Sequence, residues 1–214
     1  MINRLRSFFL HCMAIFAIGS ILAGCSSIQT QNNTELVQNR PRSILVIPPL
    51  NNSVEVNAPY TFISTITRPL AEKGYYVFPV AVIDHFFKEN GLPTPGEMNG
   101  VPLDKIREHI GADAVLYTTI EDWGQKYLLF NTVTVVNAKL NLVDTRTGTV
   151  LWTGRARAER SQGDGQLLQA IVSHIVESLT DSTPELAREA NRSAINGSGS
   201  GLVDGPYKDV QVTP

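Results

Sequence analysis

Cysteine is nearly absent from this chain of 214 residues, which has only Cys12 and Cys25. Both stand in the N-terminal segment, so the remainder can form no disulfide and must rely on a packed core. No apolar run reaches the ~20 residues that a membrane-spanning helix needs. The longest, Phe8–Leu22, is shorter and is broken by His11, Gly19 and Ser20. An excess of one charge is also missing. The 18 Lys and Arg face 20 Asp and Glu, and no basic run follows the pattern of a nucleic-acid binder. Composition argues against nucleic acid as a partner.

Chemical motifs are equally sparse. His85, His109 and His174 fall on separate predicted helices without metal-ligand spacing, so neither a metal nor a cofactor is expected. Gly197 to Gly201 alternates glycine and serine but never forms the G-x-S-x-G elbow of a serine hydrolase. Gly163-Asp164-Gly165 precedes a predicted helix, yet no lysine follows and Asp164 would repel a phosphate. Glu121 and Asp122 are adjacent carboxylates at the end of a predicted strand. Neighbours on extended backbone point to opposite faces, so the pair is not expected to converge on a substrate. No catalytic residue is assigned, and the enzymatic alternative is a hydrolase built on Glu121 and Asp122.

What the chain does contain begins at its N-terminus. Arg4 and Arg6 precede the apolar stretch, which ends in Leu22-Ala23-Gly24-Cys25. Positive segment, short apolar segment and small residues in this order mark a secretory leader. The tetrapeptide resembles the lipobox of bacterial lipoproteins, in which a thiol is acylated and the leader is cut before it. That resemblance implies a leader at 1–24, lipidation at Cys25, and Ser26 rather than aspartate after it, which favours the outer membrane over the inner. Two or three acyl chains would anchor stably where one would not. The polar, Gln- and Asn-rich stretch that follows reads as a tether, giving 25–42 as the lipidated linker.

Beyond it, Ser43–Ile47 is a continuous apolar run stopped by Pro48-Pro49, the pattern of a strand buried on both faces. Apolar spacing predicts a helix over 57–73, interrupted by Pro69, a strand at 75–80, and helices at 82–90 and 102–110. The intervening 92–101 reads as a loop and 114–120 as a strand. Alternation over 131–144 and 150–158 around a turn at Asp144–Gly148 predicts a long hairpin, with a bulge near Val136-Asn137. Gln166–Asp181 has the clearest helical period, and Thr183-Pro184-Glu185 starts a shorter helix. Asn196–Gly201 reads as a flexible linker. Trp123, Tyr127 and Phe130 gather apolar and aromatic surface beside the carboxylates, a candidate partner surface.

The expected fold is α/β: a single domain, 43–182, with a mixed sheet of about five strands flanked by helices, followed by a C-terminal helix and flexible tail at 183–214. Arg68 to Val80, Phe86 to Pro93, Gly111 to Leu116 and Leu142 to Gly148 resemble a family of bacterial outer-membrane lipoproteins of unassigned function. That family is similar in architecture to the curli-secretion-channel lipoprotein and, more distantly, to activators of peptidoglycan synthases. The resemblance implies a non-enzymatic accessory of an envelope transport, secretion or assembly complex, lipid-anchored, with the periplasmic face favoured and surface exposure left open. Expected partners are the bilayer, through acylated Cys25, and an envelope protein, with a homo-oligomer allowed. The alternative role is that of a synthase activator.

Overall fold

In a computed structural model, residues 36–37, 39–127, 132–162 and 182–208 are described. The predicted leader, Cys25 and the predicted Gln166–Asp181 helix lie outside them. The fold class is as the sequence predicts, with a sheet of six strands rather than about five. Strands β1 (Ser43–Val46), β2 (Leu50–Asn51) and β3 (Tyr76–Val77) come first, then β4 (Ala114–Tyr127), β5 (Thr132–Asp144) and β6 (Val150–Gln162). Helices are α1 (Ala58–Glu72), α2 (Val80–Glu89), α3 (Pro95–Asn99), α4 (Leu103–His109) and α5 (Thr183–Asn196). The additional strand, β2, is two residues long and follows the Pro48-Pro49 stop.

The sheet runs in the order β3-β1-β4-β5-β6, with β2 paired to β4 beyond the end of β1. β1 is parallel to β3 and to β4, because α1 and then α2–α4 carry the chain back between them. β4, β5 and β6 are antiparallel neighbours.

β1 is buried on both faces, as its unbroken apolarity requires. Ile44 and Val46 join Phe62, Ile66 and Leu70 of α1, Leu186, Ala190 and Ile195 of α5, and Leu140 and Trp152 of the hairpin. Leu45 and Ile47 point the other way, onto Ile83 and Phe87 of α2, Met98 of α3 and Ile106 of α4. At roughly 1.5–3 kcal/mol for each large apolar side chain removed from water, these two clusters are the main favourable term set against the entropy of ordering the chain. The helices α2 to α4 cover only the first part of the sheet. Farther along β4, β5 and β6 one face is packed by α5, while Thr153, Arg155, Arg157 and Glu159 of β6 are exposed on the other.

Several local expectations change. One helix runs through Pro69 to Glu72 without a restart. The stretch read as a loop contains α3, closed by a capping box in which Thr94 Oγ1 accepts from the Glu97 backbone and the Glu97 carboxylate accepts from Thr94 N–H. The bulge is not in β5. Val136, Ala138, Leu140 and Leu142 alternate inward without a slip, and the extra residue is Glu121 of β4, since Ile120 pairs with Ala138 while Asp122 pairs with Asn137.

Both ends of the domain are tied down. Leu36 is wholly buried in the larger core, so packing reaches back into the stretch read as tether. Asp113 Oδ2 accepts from the backbone N–H groups of Arg42 and Ser43, at 2.9 and 3.2 Å, where the chain enters β1. After α5, Gly201 N–H donates to Gly197 O and Leu202 N–H to Ile195 O, so the glycine-serine stretch forms ordered turns rather than a linker. Leu202 is buried, Gly205 N–H donates to Lys73 O, and Tyr207 N–H donates to Gly74 O. Gly74 has φ +89° and lies against the backbone of Lys208, so it serves as both the helix stop and the place where the C-terminal segment crosses.

Candidate functional site

The bulge determines what the hairpin presents. An extra residue in one strand turns two consecutive side chains toward the same partner strand, and here Glu121 and Asp122 both face Asn137. The expectation that adjacent carboxylates diverge is therefore corrected. The Glu121 carboxylate accepts from Lys139 Nζ, from Arg155 Nη1 at 3.0 Å and from Asn137 Nδ2 at 3.2 Å. Asp122 accepts from Lys126 Nζ at 2.6 Å. The result is a polar patch on the face left uncovered by α2 to α4.

Its electrostatics do not favour acid-base catalysis. The Lys139 ammonium, aided by Arg155 and Asn137, holds the Glu121 carboxyl below the usual carboxylate range. Lys126 does the same for Asp122, with Asn137 and Arg157 contributing. A general acid working near neutral pH needs the opposite shift. Both groups are paired anions, suited to fixing the register of a surface or to exchanging partners with an incoming charge. Lys139 and Arg155 also line a groove of about 530 Å³ together with Gly154, Ser193 and Ser200.

The other candidate residues are dispersed. Trp123 is not surface: it is 6% exposed and packs edge-on to Phe62 at 6.4 Å, so it is withdrawn from the partner surface. The side chain of Tyr127, and Phe130 altogether, lie outside the described residues, as do Leu22, Ala23, Gly24 and Cys25. His85 and His109 are exposed on α2 and α4, and His174 is outside the described set. Among the described residues no three His, Cys, Asp or Glu side chains gather as a metal site. Asn137, Lys139, Arg155 and Arg157 were not singled out from the sequence. The signal for them was the polar half of the alternation whose apolar half marks the core.

A family described as "Putative lipoprotein GNA1162-like" matches residues 31–207, and the chain belongs to it. It is 36% identical over 204 residues to "Putative lipoprotein NMB1124/NMB1162" of Neisseria meningitidis serogroup B, covering 90% of this chain and 94% of the relative. The crystal structure of lipoprotein GNA1162 from Neisseria meningitidis is 40% identical with a TM-score of 0.55, covering 65% of this chain and 98% of that one. The PelC dodecamer from Paraburkholderia phytofirmans is more distant, with 16% identity, a TM-score of 0.40, and 71% and 85% coverage. LpoB from Escherichia coli has 17% identity and a TM-score of 0.43, with 62% and 66% coverage.

Proposed function

We propose that this lipoprotein is a non-enzymatic accessory of an envelope transport, secretion or assembly complex, held at the outer membrane by acylated Cys25 and offering the polar β4–β6 face to a protein partner. The observation that carries this reading is the adjacency of two signals: the lipobox ends at Cys25, and the match to a lipoprotein family begins at residue 31. Confinement to a bilayer raises the effective concentration of the domain near partners on the same surface, so function follows from position. The paired state of Glu121 and Asp122 supports a recognition role over a hydrolytic one. Packing of Leu36 into the core shortens the free tether, which weighs against a synthase activator reaching across a wall layer.

Mass spectrometry of the native N-terminus tests the anchor: the chain begins at Cys25 with added acyl mass, and Cys25→Ala abolishes both. A native chain starting elsewhere, or without acyl mass, overturns it. Cross-linking in intact envelopes, comparing the native chain with Lys139→Glu and Arg155→Glu, tests the partner face. Recovery of the same envelope proteins at the same yield from the reversed variants would remove that face from the proposal.

A further inference from the structure

The connection between α1 and β3, residues 73–75 with their flanking Glu72 and Tyr76, is where the segments entering and leaving the described domain meet. Tyr76 N–H donates to Arg42 O at 3.0 Å, bringing the incoming N-terminal segment alongside. Gly205 N–H donates to Lys73 O at 2.7 Å, Tyr207 N–H to Gly74 O at 3.0 Å, and Lys208 Nζ to Glu72 O at 2.6 Å, bringing the C-terminal segment across the same place. Between them Tyr75 is buried, and its hydroxyl donates to Val203 O at 2.8 Å.

The outward side chains at this junction are aromatic and cationic. Tyr76 is 51% and Tyr207 47% exposed, and Arg40, Arg42 and Lys208 are exposed around them. The nearby described carboxylates are already engaged. Glu72 pairs with Arg68 at 2.7 Å, Asp204 with Lys73 at 3.2 Å, and Asp113 Oδ2 accepts two backbone N–H groups. Among the described residues no carboxylate pairs with Arg40 or Arg42. Exposed tyrosines beside cations that no described carboxylate pairs match the headgroup layer of a bilayer, where a phenol places its ring among apolar atoms and its hydroxyl in water, and where basic side chains meet anionic lipid.

We infer that this junction is a second membrane contact, in which Tyr76, Tyr207, Arg40, Arg42 and Lys208 seat the domain on anionic phospholipid headgroups. The inference rests on the lipidated reading for its geometry. Only ten residues separate Cys25 from the buried Leu36. Even fully extended they span at most roughly 33–36 Å, so the entry end of the domain stays within reach of the bilayer. The acyl chains supply the affinity and the junction supplies the orientation.

The test uses the full mature chain with Cys25→Ser, so that no acyl group contributes, co-sedimented with vesicles of phosphatidylcholine alone or mixed with phosphatidylglycerol. The expected result is binding to the anionic vesicles only. It falls about five-fold for each of Arg40→Gln and Arg42→Gln, falls also for Tyr207→Ser, and is unchanged for Arg155→Gln and Arg157→Gln on the hairpin face. Circular dichroism confirms that the variants are folded. No binding to either vesicle, equal binding to both, or an equal loss from the hairpin substitutions overturns the inference. Acylation is read separately at the native N-terminus, so a failed anchor and a failed headgroup contact give different results.

Discussion

The indole of Trp152 lies across Gly154, two residues along the same face of β6, and donates its N–H to the carbonyl oxygen of Ser200 at 2.9 Å. A Cβ at position 154 would run into the six-membered part of that ring. Gly154→Ala therefore displaces Trp152, breaks its hydrogen bond and loosens the turn after α5. The expected cost is about 1–3 kcal/mol, as for other overpacked cores, read as a lower urea midpoint with unchanged slope.

Asp144 closes the β5–β6 turn by accepting at Oδ1 from the backbone N–H groups of Arg146, at 2.7 Å, and Thr147, at 2.9 Å. Burial pushes its carboxyl up, but those two donors, the Arg146 charge and the Thr147 hydroxyl together outweigh it and hold the group below the usual aspartate value. With the folded value below the unfolded one, the stabilisation is complete above the ordinary aspartate pKa near 3.9 and disappears as pH falls through the folded value. Thermal unfolding of Asp144→Asn should show lower stability at neutral pH and a shallower loss below about pH 4 than the native chain. Parallel acid limbs would contradict this account.

Leu36 anchors the entering chain, since it is wholly buried in the larger core. Leu36→Ala should destabilise by about 2–5 kcal/mol. It should also free the segment before β1, seen as faster protease cleavage N-terminal to Arg42 while the rest of the domain resists. Wild-type cleavage rates there would place Leu36 outside the cooperative unit.

Thr118 is 1% exposed, and among the described residues its hydroxyl has no hydrogen-bond partner. Thr118→Val keeps the shape of the side chain and removes the buried polar atom. A gain of roughly 1 kcal/mol follows, detectable as a raised melting temperature. A loss would mean that the hydroxyl is satisfied in solution.

The legible parts of the fold were those specified by local pattern. β1 announced its burial on both faces by uninterrupted apolarity, and the inward rows Val136 to Leu142 and Trp152 to Ala156 announced the hairpin by alternation. Non-local choices were not legible. Val133 and Val135 suggested a slip in β5, whereas they lie on the opposite face from Ala138 and Leu140, and only the pairing of Ile120 with Ala138 and Asp122 with Asn137 reveals that the extra residue is Glu121. Pro95 and Gly96 concealed α3, although the Thr94 and Glu97 of its cap were in view. Glycine and serine at 197–201 suggested slack, because composition cannot report that Trp152 and Leu202 hold that stretch in place. Trp123 was ambiguous for the same reason, since its burial depends on Phe62 of α1, far away in the chain.

β4 is fourteen residues long, which at roughly 3.3 Å per residue sets its ends about 45 Å apart. Arg42 enters beside the first of those ends, near Asp113. Whatever engages the distal half of the hairpin therefore does so at a height fixed by a stiff ladder of backbone bonds, not by slack string. The domain acts as a ruler, holding the far half of the hairpin a set distance from the point where the chain enters β1.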